Sequence, residues 1–305
     1  MITVYGHKQI KDRLLSCVRE DRVNHAYLFC GPCGIGKTTT ARWFAAALMC
    51  ENDQNRPCGA CRMCRLANAG SHPDIIVVDD NFNGNEKIKS GSVDQSRMFK
   101  RDVFKKPMLA RRKVYIVPRA DEMTDQAQNS LLKVIEEPPS YCVIILVCQN
   151  DKKLLDTILS RVTPRRFSPL KDSEMREYLA KYPPDKIDVL CEMSGGAPMR
   201  ADEIMNDDEF TVIKTEAERL FTEYIVNREN IIDLCRFLTG QKARISVVLD
   251  ILNAVLHRAA VSQSGPVADA LDKGGICDMF DKIEKAKAML DRNVNFTAVI
   301  TNMLI

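Results

Sequence analysis

Apolar positions in the first half of the chain fall in short, nearly unbroken runs, separated by longer stretches where they recur every three or four residues. Ala26-Tyr27-Leu28-Phe29-Cys30, Ile75-Ile76-Val77-Val78, Val114-Tyr115-Ile116-Val117 and Val143-Ile144-Ile145-Leu146-Val147 are four such runs. A strand that is apolar at consecutive positions must bury both faces, as in a parallel sheet covered by helices on each side. Between the last two runs, Ala127, Leu131 and Ile135 share one helical face that begins near Thr124. Pro138-Pro139 ends that helix, because proline removes a donor and clashes with the preceding turn. The alternation predicts an open α/β domain.

After about residue 168 the strand signal fades. Leu170, Met175, Tyr178 and Leu179 are spaced helically, and Gly195-Gly196-Ala197-Pro198 punctuates the segment. Residues 208–305 are helical in pattern throughout, as in Val247, Val248, Ile251, Leu252, Val255 and Leu256. The polar stretch Asn81–Ser92 predicts a flexible loop, and Ser262–Pro266 a break between helices. No internal repeat or low-complexity tract interrupts the pattern. The expected division is 1–167, 168–207 and 208–305.

Composition narrows the class without naming a chemistry. The 305 residues are 45% hydrophobic and 28% charged, with 44 Lys and Arg against 41 Asp and Glu, so bulk charge points to no polyanion. The N-terminal residues lack the apolar core of a signal peptide, and no run reaches the roughly 18 apolar residues of a membrane span. A cytoplasmic location with no membrane partner is the expectation. Reduced thiols follow from it, so eight of the twelve cysteines, such as Cys17, Cys142 and Cys191, are expected as small buried hydrophobes.

Gly31-Pro-Cys-Gly34-Ile-Gly36-Lys37-Thr38 follows the first strand and opens a helix through Ala41, Phe44 and Leu48. This is GxxxxGK[ST] in its proper context. Glycines let backbone N–H groups curl around phosphate, and the helix offers its positive end to the anion. Lys37 is expected to reach the outer phosphates of ATP or ADP and Thr38, beside Thr39, to meet Mg²⁺. Hydrolysis needs an acidic residue at the tip of a later strand. The strand Val114–Val117 is followed instead by Pro118-Arg119, neither of which can hold a metal. Asp121 and Glu122 could serve only if the register slips, so Mg²⁺ itself is doubtful here.

Cys50, Cys58, Cys61 and Cys64 give C-x7-C-x2-C-x2-C, with Pro57 and Gly59 supplying turns. Four thiolates brought to one point suit tetrahedral Zn²⁺ in a closed, structural site over about residues 50–64. An iron–sulfur cluster and unliganded thiols are the other readings.

Taken together, the residues resemble the AAA+ clamp-loader subunits of bacterial DNA polymerase III, the delta-prime type above all, with gamma/tau as close kin. The resemblance covers about residues 1–205. It rests on His25-Ala-Tyr-Leu-Phe before the glycine loop, and on the cysteine insert followed by Gly70-Ser-His72-Pro73-Asp74. It continues through Val93-Asp-Gln95, Arg112-Lys-Val-Tyr-Ile-Val, Asn129-Ser-Leu-Leu-Lys133-Val-Ile-Glu-Glu-Pro138-Pro and Leu155-Asp-Thr-Ile-Leu-Ser160-Arg161.

The resemblance implies an AAA+ P-loop αβα domain with a zinc insert, a small helical lid and an all-helical C-terminal collar. It implies partners: gamma/tau and delta subunits in a hetero-pentameric ring, and through that ring a sliding clamp and primer–template DNA. Arg161 falls where the family has an arginine finger acting in trans, although Val162 stands where a cysteine is usual. Gln149, with Asn150, falls at the position that reads the γ-phosphate, and Arg200 at that of the lid arginine. Arg97–Arg119 holds nine Lys or Arg and one acid, Asp102, so Arg97 and Lys100 become candidate DNA contacts. His72 is a further candidate ligand, but a structural role suits it better. The missing acidic pair favours a subunit with little ATPase of its own. A working gamma/tau-like ATPase and a stand-alone AAA+ DNA-repair ATPase are the alternatives.

Overall fold

The computed structural model describes residues 1–79, 93–207, 209–228, 230–290 and 294–304, with the backbone alone at 93–97. The expected loop 81–92 lies outside the described residues. The chain divides into two compact units. One comprises Met1–Pro184 with Gly195–Arg200, and the other Asp185–Ser194 with Ala201–Ile305. Residues of the expected middle segment, 168–207, are therefore shared between them.

The first unit is built on a five-stranded, wholly parallel sheet. Its strands are β1 (Ala26–Cys30), β2 (Ile75–Val77), β3 (Lys113–Val117), β4 (Cys142–Cys148) and β5 (Thr163–Arg166), in the order β2-β3-β4-β1-β5. The four apolar runs are all strands, but β2 is only half-buried, because it lies at the sheet edge. The fifth strand is not legible in the sequence, because Thr-Pro-Arg-Arg has no apolar run and, apart from Thr163, no β propensity. It is a strand because it pairs with β1, with Pro164 opposite Leu28, and it lies at the sheet edge where a missing N–H is tolerated.

The helices of this unit are α1 (Lys8–Arg19), α2 (Lys37–Met49), α3 (Arg62–Asn68), α4 (Val93–Val103), α5 (Asp125–Glu136), α6 (Asp156–Leu159) and α7 (Asp172–Leu179). Alternate strand residues Leu28, Tyr115, Val117, Ile144 and Leu146 bury one sheet face against Phe99 and Val103 of α4 and Leu131 and Ile135 of α5. Thr124 caps α5 by accepting from the Ala127 N–H at 3.3 Å, where the sequence predicted the helix to start. Because β1 sits between β4 and β5, and β4 beside β3, the C-terminal ends of β1, β3 and β4 come together. Ligands gather at that edge of open parallel sheets.

Two helices contribute residues to both units: α8 (Pro184–Ser194) and α9 (Pro198–Met205). The second unit adds α10 (Phe210–Asn227), α11 (Ile231–Gly240), α12 (Ile245–Ser262), α13 (Pro266–Ala270), α14 (Lys273–Leu290) and α15 (Phe296–Leu304). Val248, Ile251, Leu252, Val255 and Leu256 of α12 are buried, whereas Val247 is only half-buried. By length and composition alone α12, with the turn before it, is long and apolar enough to cross a membrane, although Arg244, Asp250, His257 and Arg258 break its apolar run. Half of its apolar window is buried within this unit. The break at 262–266 is present: α12 ends on left-handed Gln263, and Pro266 opens α13.

Candidate functional site

The glycine loop leaves β1 at Cys30 and enters α2 at Lys37. Gly31 permits a close approach, since a Cβ there would stand 2.4 Å from the Phe167 carbonyl oxygen. Gly36 caps α2 in the left-handed region, at φ 93°, which L side chains rarely adopt. Lys37 is buried, and its Nζ donates to Gly31 O at 2.7 Å and to Pro32 O. Burial pushes its ammonium below the ordinary lysine value, while Cys33, Cys148, Cys30 and Asp121 act in the opposite direction. Thr38 is half-buried and Thr39 exposed at the start of α2. Met199 N–H donates to Gly34 O at 3.2 Å, bringing the turn that carries Arg200 against the loop. His7 Nε2 lies 2.8 Å from Ile35 O, so the tautomer protonated there donates to it.

At the neighbouring strand ends the register does not slip. β3 stops at Val117, Arg119 takes a left-handed turn, and 120–122 form a single 3₁₀ turn. Asp121 accepts from the backbone N–H groups of Gln149 and Asn150 at 3.0 Å each, so its carboxylate secures the end of β4. Glu122 pairs with Arg119 at 3.6 Å. Gln149 is exposed at the end of β4, and the Asn150 side chain instead caps the following turn through the Lys152 N–H.

Arg161 follows the four-residue α6 and is 38% exposed. Its Nη1 donates to Thr157 O at 2.8 Å and Ser160 Oγ at 3.2 Å, and its Nη2 to Glu136 Oε1 at 3.0 Å. Glu136 was not singled out in the sequence. A carboxylate closing a helix faces the negative end of the dipole, which is the one local hint that it needs a cation.

The four clustered cysteines converge. Their sulfurs all lie within 4.8 Å of one another, with Cys58 and Cys64 at 4.0 Å. Zn–S bonds of about 2.3 Å in a tetrahedron put sulfurs about 3.8 Å apart, so the set fits zinc after slight contraction. Backbone N–H groups of Cys58, Cys61 and Cys64 point at the sulfurs of Cys50, Cys58 and Cys61 at 3.4, 3.3 and 3.3 Å. Such donors favour thiolate: those of Cys61 and Ala60 bring Cys58 down to about 6, whereas burial pushes Cys50 and Cys64 up.

His72 stands outside this cluster, buried, with Nδ1 accepting from the Asp74 N–H at 3.1 Å. Asp74 is fully buried and accepts from the N–H groups of Met108, Leu109 and Ala110 at 2.6, 2.8 and 2.9 Å. Of the basic helix, Lys100 is half-buried on α4, and the Arg97 side chain lies outside the described residues. The scattered cysteines divide. Cys30, Cys142 and Cys148 are buried, but Cys33 and Cys277 are exposed, contrary to expectation, because one lies on the glycine loop and the other on an outer face of α14.

A glycine loop joining a central parallel strand to a helix defines this unit as a P-loop α/β domain. The family model for DNA polymerase III, delta subunit matches residues 6–171, more than half of the chain, and the chain belongs to that family. It is 31% identical over 210 residues to DNA polymerase III subunit delta' of Bacillus subtilis, covering 68% of this chain and 62% of the relative. It is 36% identical over 182 residues to subunit delta' of Pseudomonas aeruginosa, covering 58% and 54%. It is 35% identical over 195 residues to subunit gamma/tau of Mycobacterium tuberculosis, covering 63% and 31%. The chain thus spans less than two thirds of the length of these curated relatives. Among solved structures, a DNA polymerase III gamma subunit-related protein of Thermotoga maritima matches with TM-score 0.46 at 16% identity, covering 96% of this chain and 97% of that one.

Proposed function

We propose that the chain is a delta-prime-like, AAA+ clamp-loader subunit that supplies Arg161 in trans to ATP held by a neighbouring gamma/tau-type motor subunit. It would do so in a five-membered ring that also contains delta and loads a sliding clamp onto primed DNA. The observation that carries this reading is the contrast between two sites. The β3 tip offers Pro118 and Arg119 where a metal-binding acid is needed, and Asp121 is committed to the backbone of β4. Arg161, by contrast, stands exposed on a short turn with its guanidinium already oriented. A chain that keeps the finger and lacks the metal ligand is built to act on another subunit's nucleotide.

Its own loop would hold ATP or ADP through Gly31, Gly34, Gly36, Lys37, Thr38 and Thr39, with Gln149 and Arg200 as further contacts. Zinc held by Cys50, Cys58, Cys61 and Cys64 would be structural, fixing the insert between α2 and β2. Residues 168–207 would act as the lid and 208–305 as the collar, and Arg97 and Lys100 would touch DNA phosphates.

The test is Arg161→Ala in the assembled complex. An arginine finger is worth about 10³–10⁵ in rate at its own site. Steady-state loss is diluted where several sites turn over. Ring assembly is expected to survive, while DNA-stimulated ATPase and clamp loading fall. Arg161→Lys is expected to rescue poorly, because an ammonium lacks the planar fork. Normal assembly with clamp loading at the wild-type rate would sink the proposal.

A further inference from the structure

We infer that Glu136 is a positioning residue for Arg161, an inference that rests on the reading of Arg161 as a finger. The guanidinium is held from two sides. Thr157 O and Ser160 Oγ, on its own turn, take the two Nη1 hydrogens, and Glu136 Oε1 takes one from Nη2 at 3.0 Å. Among the described residues three of the five N–H groups are thus engaged, which leaves two to grip an anion.

The two supports differ in stiffness. The turn of α6 is only four residues long, whereas Glu136 ends a twelve-residue helix that is capped at Thr124 and buried along Leu131, Val134 and Ile135. Pro138, one residue beyond the Glu137 cap, stops that helix. The backbone that carries the carboxylate is therefore fixed to the sheet core, and the carboxylate ties a long, rotamer-rich side chain to that frame. An arginine placed in advance loses less freedom when it meets a phosphate, which is how a group remote from the reacting atoms raises turnover.

Glu136 at the C-terminal end of its helix is disfavoured by the helix dipole, so its presence there calls for the cation opposite. Both partners are partly exposed, at 43% and 38%, so the effect belongs to the modest range of surface pairs.

The experiment uses the ring reconstituted with gamma/tau-type subunits, clamp and primed DNA, and reads kcat and KM for ATP. Glu136→Ala is expected to slow hydrolysis at the site served by Arg161 about threefold to fivefold, the scale set by a surface ion pair, and so to lower the ring's kcat by less than Arg161→Ala does, with KM and assembly unchanged. Glu136→Gln is expected to keep more than half of the rate, because its amide oxygen still accepts from Nη2. In an Arg161→Ala background, Glu136→Ala is expected to change nothing further, since there is no finger left to place.

A wild-type or raised kcat for Glu136→Ala, or a further loss in the Arg161→Ala background, overturns the inference and leaves the finger standing. A wild-type rate for Arg161→Ala alone overturns the finger itself, and this inference with it.

Discussion

Lys37 is buried beneath its own loop and bonded to two of its carbonyls, while the residues that would complete an ATPase are missing from the β3 tip. Binding and hydrolysis are therefore separable at the scale of single residues. The isolated chain is expected to bind ATP or ADP, and Lys37→Ala to weaken that binding, as read by titration calorimetry. Turnover is expected to be far below the roughly 1 s⁻¹ at the low end for ordinary enzymes. A rate near that value, lost in Lys37→Ala, would mean that a carboxylate does reach the metal despite Pro118 and Arg119. Asp121 is the nearest such group, but releasing it would strip an acceptor from two backbone N–H groups at the end of β4.

Among the elements, the cysteine insert and α4 depend on charge in opposite ways. The insert brings four thiols together with few apolar residues to bury, so metal would supply much of its folding free energy. Chain purified without chelator is expected to carry about one zinc by elemental analysis. Cys61→Ser is expected to release it and to speed proteolysis within 50–64, while nucleotide binding stays close to wild type. Metal-free wild-type chain would remove the zinc claim.

At the C-terminal end of α4, Asp102 receives Lys113 Nζ at 2.9 Å, Tyr115 OH at 2.8 Å and Lys105 Nζ at 3.0 Å. Burial alone would raise the Asp102 carboxyl, but the bonds from Lys113, Lys105 and Tyr115 outweigh it and leave the pKa below 3.8. A folded-state value below the unfolded one contributes stability above pH 3.8, and that contribution is lost as pH falls further. Lys113 is buried, so Asp102→Asn is expected to cost about 2 kcal/mol at pH 7, a figure reduced for the partial exposure of Asp102. In urea titrations the gap between the two chains is expected to narrow at pH 3. A gap that stays constant would show that charge has no part in the tie between α4 and β3.

At the scale of the whole molecule, what could be read in the sequence was what one stretch of chain specifies alone. The glycine loop occupies eight consecutive residues, the four cysteines lie within fifteen, and the buried strands β1 and β4 are apolar at every position. In each, the residue types and the geometry they need are local, so spacing alone carried them. The helical C-terminal unit was legible for the same reason, since helical periodicity is a property of neighbours three and four apart. What only the tertiary structure decided depends on residues distant in sequence. Thr163–Arg166 became a strand because β1 presented an open edge. Asp74 found its three N–H partners 34 to 36 positions away, and Asp121 found its two at the end of β4. Glu136 met Arg161 because the intervening β4 carries the chain across the sheet and α6 turns it back. Short polar and charged segments have no periodicity of their own. Their roles come from backbone donors and opposite charges that only the packed sheet brings within hydrogen-bonding reach.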